Sequence, residues 1–548
     1  MAQELRHGIH GTVNYAGGSP TITAQKRCRR KHFPDLRRTI GISFSHEYRK
    51  QTFLENTVPA SDLTNECKPV HAKMLIGGEW VDSDRHIDVF NPARPDELVG
   101  TIPLGSPADV EGAIAAAKAA QPAWALKSYG ERAQILALLL ERLSEEVDER
   151  VSLYVRENGK TTAEARAELA GVPARQRITL ELAAELDRRH EVESPNGRSF
   201  VGYLPFGVIV SIVPWNAPIS LAFLQIVPAL LAGNTVVLKP PETCPLSLIR
   251  AIEMIAPRLP PGVINVVTGM PADIGDTLTT HSDVNKIAFT GSVPAARNIM
   301  ANAAQTIKGI TLELGGNDPA ILLEDADLGD ATMERMAKSV YRMTGQVCMA
   351  IKRIYTPESI KDKFLEAFTR TVDKIMVGDG LDTTVTMGPM HTARALERAQ
   401  GIVADAASRG AKVQILGQVP DEAVFGHGHF MRPTVVSDIA DDAPLIAEEQ
   451  FCPVVPVSTY RDVDDAITRA NATIYGFGGS IWSRDIARAS NLARRLQAGT
   501  VFVNTHGTES VNRKLPYGGI KQSGIGRRAG IEGVREYMQV QTLTTFEQ

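Results

Sequence analysis

Between residues 206 and 317 short apolar runs alternate with longer segments in which apolar residues recur every three or four positions. The runs are Val208-Ile209-Val210-Ser211-Ile212-Val213, Thr235-Val236-Val237-Leu238-Lys239, Val263-Ile264-Asn265-Val266-Val267, Ile287-Ala288-Phe289-Thr290 and Ile310-Thr311-Leu312-Glu313-Leu314. They are continuously apolar rather than alternating, as strands buried on both faces are. That is the condition of a parallel sheet covered by helices. The segments between them predict those helices near 218–232, 245–257, 271–280 and 293–304. This is most of a Rossmann-like domain.

Upstream, Ser106 is placed to cap an Ala-rich helix opening at Pro107 and running to about Ala119. Residues 129–147 repeat Ile135, Leu136, Leu139, Leu140 and Leu143 on one helical face, and helical character continues over 162–186 until Pro195 and Gly197 break it. A second α/β region follows from about 320 to 520. Its strands are expected at 412–416, 452–457 and 500–504, its helices near 328–341, 357–375, 391–408, 462–471 and 484–496, and a surface loop over 417–432. The ending at 537–543 reads as an exposed β segment. An apolar edge strand implies a partner, so it is expected to complete a sheet in another subunit.

Residues 1–73 break the pattern. Gly, Ser, Pro and His punctuate them, no period is sustained, and a basic run, Lys26-Arg27-Cys28-Arg29-Arg30-Lys31, is followed by Arg37-Arg38. The reading is a disordered extension. A mitochondrial transit peptide is the alternative its charge suggests, opposed by Glu4 and by the lack of an amphipathic helix. The run also suits contact with nucleic acid or anionic lipid, or is upstream sequence read from too early a start, since Met74 precedes the first folded-looking segment, Leu75-Ile76-Gly77-Gly78-Glu79-Trp80-Val81.

At 548 residues the chain exceeds a single ordinary core, so two or more domains are expected. A net charge of -4 makes no case for nucleic acid or a membrane surface as a partner. The 221–231 run is too short for a membrane span and contains Pro228. Five cysteines, scattered and without CxxC spacing, point to a reducing compartment, the cytoplasm.

One of them, Cys348 in Gly345-Gln346-Val347-Cys348, is a candidate nucleophile. A single thiol is ordinarily a small buried hydrophobe, so its case depends on other groups. There is no GxGxxG motif. Phosphate recognition therefore falls to other loops at strand-to-helix junctions, such as Thr268-Gly269 or Gly291-Ser292.

Four motifs together, Pro214-Trp215-Asn216-Ala217-Pro218, Leu312-Glu313-Leu314-Gly315-Gly316, Gly345-Gln346-Val347-Cys348 and the stretch from Pro516 to Arg527, resemble the NAD(P)-dependent aldehyde dehydrogenase superfamily in order and spacing over about 74–545. The resemblance implies an α/β fold of that type. Residues 74–186 and 206–317 would form a Rossmann-like dinucleotide-binding domain and 318–532 a catalytic domain. Residues 187–205 and 533–548 would supply a small β oligomerisation element and tail, giving a homodimer or homotetramer. It also implies that Cys348 attacks the aldehyde carbon and that Asn216 and the Cys348 N–H hold the oxyanion. Hydride then passes to the cofactor, and Glu313 activates water against the thioester.

Lys239 and Glu242 would meet the adenosine ribose, a glutamate there favouring NAD over NADP. Ile212, Pro214, Trp215, Gly269, Gly291, Ser292, Leu314, Glu449 and Phe451 would complete the cofactor site, with no metal. Tyr341, Met343, Val347, Met349 and His506 would lie near the substrate. They suit an aliphatic or aromatic aldehyde, and no arginine cluster in the sequence marks a dicarboxylic semialdehyde. The alternatives are a coenzyme-A-acylating relative, which generally lacks Glu313, or a non-catalytic protein on the same scaffold.

Four positions depart from the family pattern. Met343 stands where an asparagine is common and Cys452 where a glycine follows the phenylalanine. Gln225 and Arg528 replace a lysine and an acid that lie near one another in several relatives and help release protons.

Overall fold

The computed structural model describes residues 68–188, 190–194 and 197–546. The basic run and all of the expected disordered extension up to residue 67 lie outside the described residues. Order is already present at Val70–His71, which pairs in parallel with Arg94–Pro103, so the boundary at residue 73 is corrected. Two residues are too few to show a period, and their pairing comes from a distant strand.

Eight strands form the first sheet, in the order Gly524–Ile525, Gly309–Glu313, Val284–Thr290, Val208–Ile212, Thr235–Lys239, Ile264–Val266, Met74–Ile76 and Glu79–Val81. The five read as buried runs are its parallel centre. Antiparallel strands flank them. Gly524–Ile525 reaches this edge from far along the chain, bringing Arg528 with it. The helices Pro218–Leu231, Leu246–Ile255, Pro271–Thr280 and Val293–Ala304 connect the strands as expected.

Ser106 forms a capping box with Asp109, but its helix, Pro107–Ala125, outruns the expected end near 119. Pro122 lies inside it, and the last turn is held by Trp124, whose buried ring donates from Nε1 to Leu230 O at 2.9 Å.

The second sheet has seven strands, ordered Lys412–Ile415, Thr434–Ser437, Val454–Tyr460, Ile351–Pro357, Asp318–Leu322, Gly478–Trp482 and Thr500–Val503. Ile351–Pro357 carries Lys352 and Arg353 yet is buried throughout, because carbonyls accept from both cations: Gly345 O from Lys352, Asn317 O and Ala470 O from Arg353. The expected loop at 417–432 contains a short helix, Glu422–His427, capped by Asp421.

In a third sheet Met538–Phe546 pairs along nine positions with Gly197–Pro205, which pairs in turn with His190–Ser194. The terminal strand is thus paired within its own chain, but it is an edge, and Val540, Leu543 and Phe546 are exposed on it. Among the described residues no helix is long and apolar enough to cross a membrane.

Only residues 314–317 separate Gly309–Glu313 from Asp318–Leu322. The two large sheets therefore meet at Glu313, with the carboxyl ends of the first facing the amino ends of the second strand pair, Asp318–Leu322 and Ile351–Pro357.

Candidate active site

The carboxyl ends of the parallel strands carry most of the expected cofactor residues. Ile212 ends one strand and Pro214 and Trp215 follow it; Lys239 ends the next; Gly269 lies beyond Ile264–Val266; Gly291 and Ser292 follow Val284–Thr290; Leu314 follows Gly309–Glu313. This crevice is where an open parallel sheet receives a nucleotide. Ser292 caps Val293–Ala304, its hydroxyl accepting from Ala295 N at 3.4 Å and its carbonyl from Ala296 N; Pro294 has no N–H, so Val293 N–H is the first-turn donor left at that helix start. The Lys239 ammonium donates to Glu242 Oε2 at 3.1 Å and Pro240 O at 3.2 Å.

Trp215 stacks on His391 with ring centroids 4.2 Å apart and meets Phe451 edge-on at 5.9 Å. Burial pushes the His391 imidazole down to about 4, so it is neutral, donating from Nδ1 to Asn158 O and accepting at Nε2 from Thr243. Glu449 Oε1 accepts from Gly316 N at 3.0 Å. A Cβ on Gly315 would lie 2.0 Å from Glu449 Oε2, so only glycine leaves room for that carboxylate. Burial pushes Glu449 up to about 7 against the pull of Lys352. This set fits a dinucleotide: a carboxylate and an ammonium for one ribose, a helix start for the pyrophosphate, and Glu449 with Phe451 for the other ribose.

The segment before Cys348 is conformationally costly. Met343, Thr344 and Gly345 have φ of 49°, 59° and 69°, three successive left-handed residues. They are pinned by Met343 N donating to Glu164 Oε1 (2.7 Å), Thr344 Oγ1 donating to Gly388 O (2.9 Å), and Gly345 seated where a Cβ would come 2.3 Å from Cys452 O. Asparagine tolerates this region better than methionine. Met343→Asn relieves this strain but gives up a buried methionine side chain, so the two effects are expected to offset and leave the denaturant midpoint nearly unchanged at unchanged m-value.

Asn216 Nδ2 donates to Gln346 O at 2.9 Å, tying the expected oxyanion donor to the cysteine loop. Its backbone is fixed from below by a buried group that carried no motif. Lys160 Nζ donates to Asn216 O (3.3 Å), Glu168 Oε2 (2.6 Å) and Tyr154 OH (2.8 Å), while Glu168 Oε1 accepts from Ser220 N (2.8 Å).

Burial, then the charges of Glu313, Glu449 and Asp318, drive the Cys348 thiol far above its ordinary range. The resting sulfur is a thiol and needs a base. Glu313 is buried, its Oε1 has no hydrogen-bond partner, and Arg528 Nε lies 3.6 Å from Oε2. Burial pushes this carboxyl up, and Arg528 and Arg513 pull the other way.

Cys348 and Asn216 open onto a cavity of about 410 Å³. Of the residues expected near substrate, Met343 and Val347 line it. Met349 and His506 line a smaller neighbouring hollow of about 70 Å³ that shares Val347. His506 is held there by Asp318 Oδ2 (3.2 Å) and Ser480 Oγ (3.0 Å). Tyr341 does not reach either. It is buried in the core beside Phe368 and donates to Thr434 O, so its placement near substrate is corrected: the last turn of Asp330–Tyr341 turns it inward.

Arg175, Arg342 and Arg513 also line the main cavity. They come from a helix, from the turn after another helix, and from a loop. The expectation that no arginine cluster exists is therefore overturned, because distance along the chain concealed it. Arg342 pairs with Glu509 at 3.1 Å, and Glu168 is already paired with Lys160, so the lining keeps an excess of positive charge.

A profile of the aldehyde dehydrogenase family matches residues 80–543. The NADP+-dependent succinate-semialdehyde dehydrogenase of Escherichia coli K12 is 36% identical over 484 residues, 87% of this chain and 98% of that protein. The glutarate-semialdehyde dehydrogenase of Pseudomonas aeruginosa is 37% identical over 487 residues, again 87% of this chain and 98% of its own. Among solved structures, betaine aldehyde dehydrogenase from Staphylococcus aureus in complex with NAD+ superposes with a TM-score of 0.83 at 33% identity, covering 89% of this chain and 97% of that one.

Proposed function

The chain belongs to the NAD(P)-dependent aldehyde dehydrogenase superfamily, and from that premise we propose that it oxidises an ω-oxo acid, an aldehyde with a carboxylate at its far end, to the dicarboxylate. The family's chemistry is NAD(P)-dependent oxidation through a covalent bond to a cysteine, which we assign to Cys348. The observation that carries the substrate reading is the convergence of Arg175, Arg342 and Arg513 on the cavity that Cys348 lines. Guanidinium groups in a fixed fork are the natural partners of a carboxylate. This differs from the aliphatic or aromatic aldehyde expected from the sequence; the names of two relatives, succinate- and glutarate-semialdehyde dehydrogenase, agree with it, whereas that of a phenylacetaldehyde dehydrogenase of similar identity agrees with the sequence expectation.

Cys348 attacks the aldehyde carbon after giving its proton to Glu313, and the oxyanion takes donors from Asn216 Nδ2 and the Cys348 N–H. The bound dinucleotide supplies the hydride acceptor. Glu313 gives the thiol proton up to solvent water before the second step, and the remaining thioester is cleaved by water that the restored carboxylate deprotonates, the departing Cys348 sulfur taking that proton and leaving a free acid. Coenzyme-A acylation is the second reading, and Glu313 argues against it. Glu242 beside Lys239 disfavours a 2'-phosphate, so NAD is the preferred cofactor. The exposed apolar edge Met538–Phe546 supports assembly with further copies as a dimer or tetramer.

A screen of straight-chain aldehydes with and without a terminal carboxylate tests the substrate. Arg342→Gln is expected to lower kcat/KM for the ω-oxo acid roughly 10–100-fold and leave the neutral aldehyde nearly unchanged. Equal losses on both would sink the carboxylate reading. Acyl-CoA rather than free acid as the product would move the function to the second reading.

A further inference from the structure

Arg528 departs from the family pattern that the sequence resembles, and the structure shows what surrounds it. Its backbone is clamped to Tyr517, donating N–H to Tyr517 O at 2.8 Å and accepting at O from Tyr517 N at 2.9 Å. Gly533 packs so closely on it that a Cβ there would come 2.7 Å from Arg528 C. The side chain is 1% exposed, donates from Nη1 to Tyr537 OH at 2.5 Å, and brings Nε to 3.6 Å from Glu313 Oε2. Gln225, the other departure from that pattern, is locked in a neutral network: its Oε1 accepts from Ser211 Oγ at 2.7 Å and its Nε2 donates to Thr290 Oγ1 at 3.1 Å.

We propose that Arg528 is a positioning residue for Glu313: its fixed guanidinium keeps the buried carboxylate ionised and seated at the sheet edge, as a standing counter-charge in place of a proton-exchanging pair. This rests on the reading of Glu313 as the base. A guanidinium does not titrate in the working range, and Gln225 is neutral, so neither position relays a proton. Charge support without a relay is the combined outcome of the two departures, Gln225 and Arg528, that the sequence already linked.

The other charged and titratable groups around the pair are accounted for. Arg513, on the cavity side, also favours the anion, and the phenols of Tyr517 and Tyr537 are neutral. The Cys348 thiol faces the carboxylate from the cysteine loop, with Glu449 and Asp318 beyond it. Lys286 and Glu536 form their own pair at 3.7 Å behind Arg528. Among them Arg528 is the cation that the structure pairs with Glu313.

The experiment is the pH profile of kcat for the full-length enzyme with saturating NAD and aldehyde, in the parent, Arg528→Gln and Arg528→Lys. The ionised carboxylate is the active form, so rate is lost as pH falls through its pKa. Removing the neighbouring cation raises that pKa, and Arg528→Gln should move the acidic limb upward by about one pH unit or more, with KM for NAD within about twofold. Arg528→Lys should recover more than half of that shift. A uniform fall in kcat with the limb unmoved would make Arg528 merely structural and overturn the proposal. Should Arg528→Gln not fold, Arg528→Met, which keeps the apolar stem and drops the charge, takes its place under the same two criteria. Glu313→Gln separates the two levels. If that variant turns over normally, the reading of the base fails; if it is dead and the Arg528→Gln limb is unmoved, only the role of Arg528 fails.

Discussion

Cys348→Ala will reduce aldehyde-dependent NADH formation by roughly four orders of magnitude or more, the scale seen when a covalent nucleophile is removed. The loss is specific, because the groups that would hold the dinucleotide hang on other strands. Lys239, Ser292 and Glu449 keep their supports when the sulfur is gone. Cofactor binding, followed by quenching of tryptophan fluorescence, should therefore stay within about threefold of the parent, a small change on the scale where tenfold is 1.4 kcal/mol. The melting temperature should move little, since Cys348 is only partly buried, borders the cavity and loses a single sulfur atom. Retained turnover would remove the proposed nucleophile outright. Activity lost together with cofactor binding would mean that the loop had collapsed, and would leave the assignment without support.

Glu313→Gln should lower steady-state turnover by about 10²–10⁴-fold, the usual worth of a general base. The isosteric amide keeps the shape of the site and cannot take a proton from water. The acylated enzyme should accumulate, visible in intact-protein mass spectrometry as one acyl group on Cys348 and in stopped flow as at most one equivalent of NADH per site. Because Glu313 also takes the thiol proton, that first turnover slows as well. A variant that turns over at the parental rate without accumulating acyl-enzyme would show that another group activates the water. Loss of the negative charge also leaves the Arg528 guanidinium buried without its carboxylate, so a drop in stability is expected alongside the kinetic effect and is measured separately.

What the sequence disclosed follows from how local each signal is. The five central strands and their helices were legible because each is a continuous apolar run beside a helical period, and nothing distant is needed to recognise either. Ile351–Pro357 was not singled out because Lys352 and Arg353 read as solvent-facing until the carbonyls that accept from them are seen. Cys348, Glu313 and Asn216 were picked out by motifs, and the structure puts Asn216 in contact with the cysteine loop and Glu313 within electrostatic reach of the thiol. The arginines were hidden because their common property is a place in space: residues 175, 342 and 513 share no segment. Tyr341 failed for the opposite reason. It is near Cys348 in sequence, but a helix turn sends its ring the other way. Lys160 under Asn216 left no sequence signal either, since one lysine in a short link between two helices is ordinarily a solvated charge.

The scattered origin of Arg175, Arg342 and Arg513 also bears on how such an enzyme changes over generations. No single mutation erases the cationic lining, and none of the three lies nearer in sequence to Cys348, Glu313 or Asn216 than Arg342, six positions before the cysteine. Drift at one arginine weakens the grip on an anionic substrate while the reacting groups keep their own supports. A lineage can thus pass through intermediates that accept both charged and neutral aldehydes and remain active throughout, so selection can alter diet before it touches chemistry.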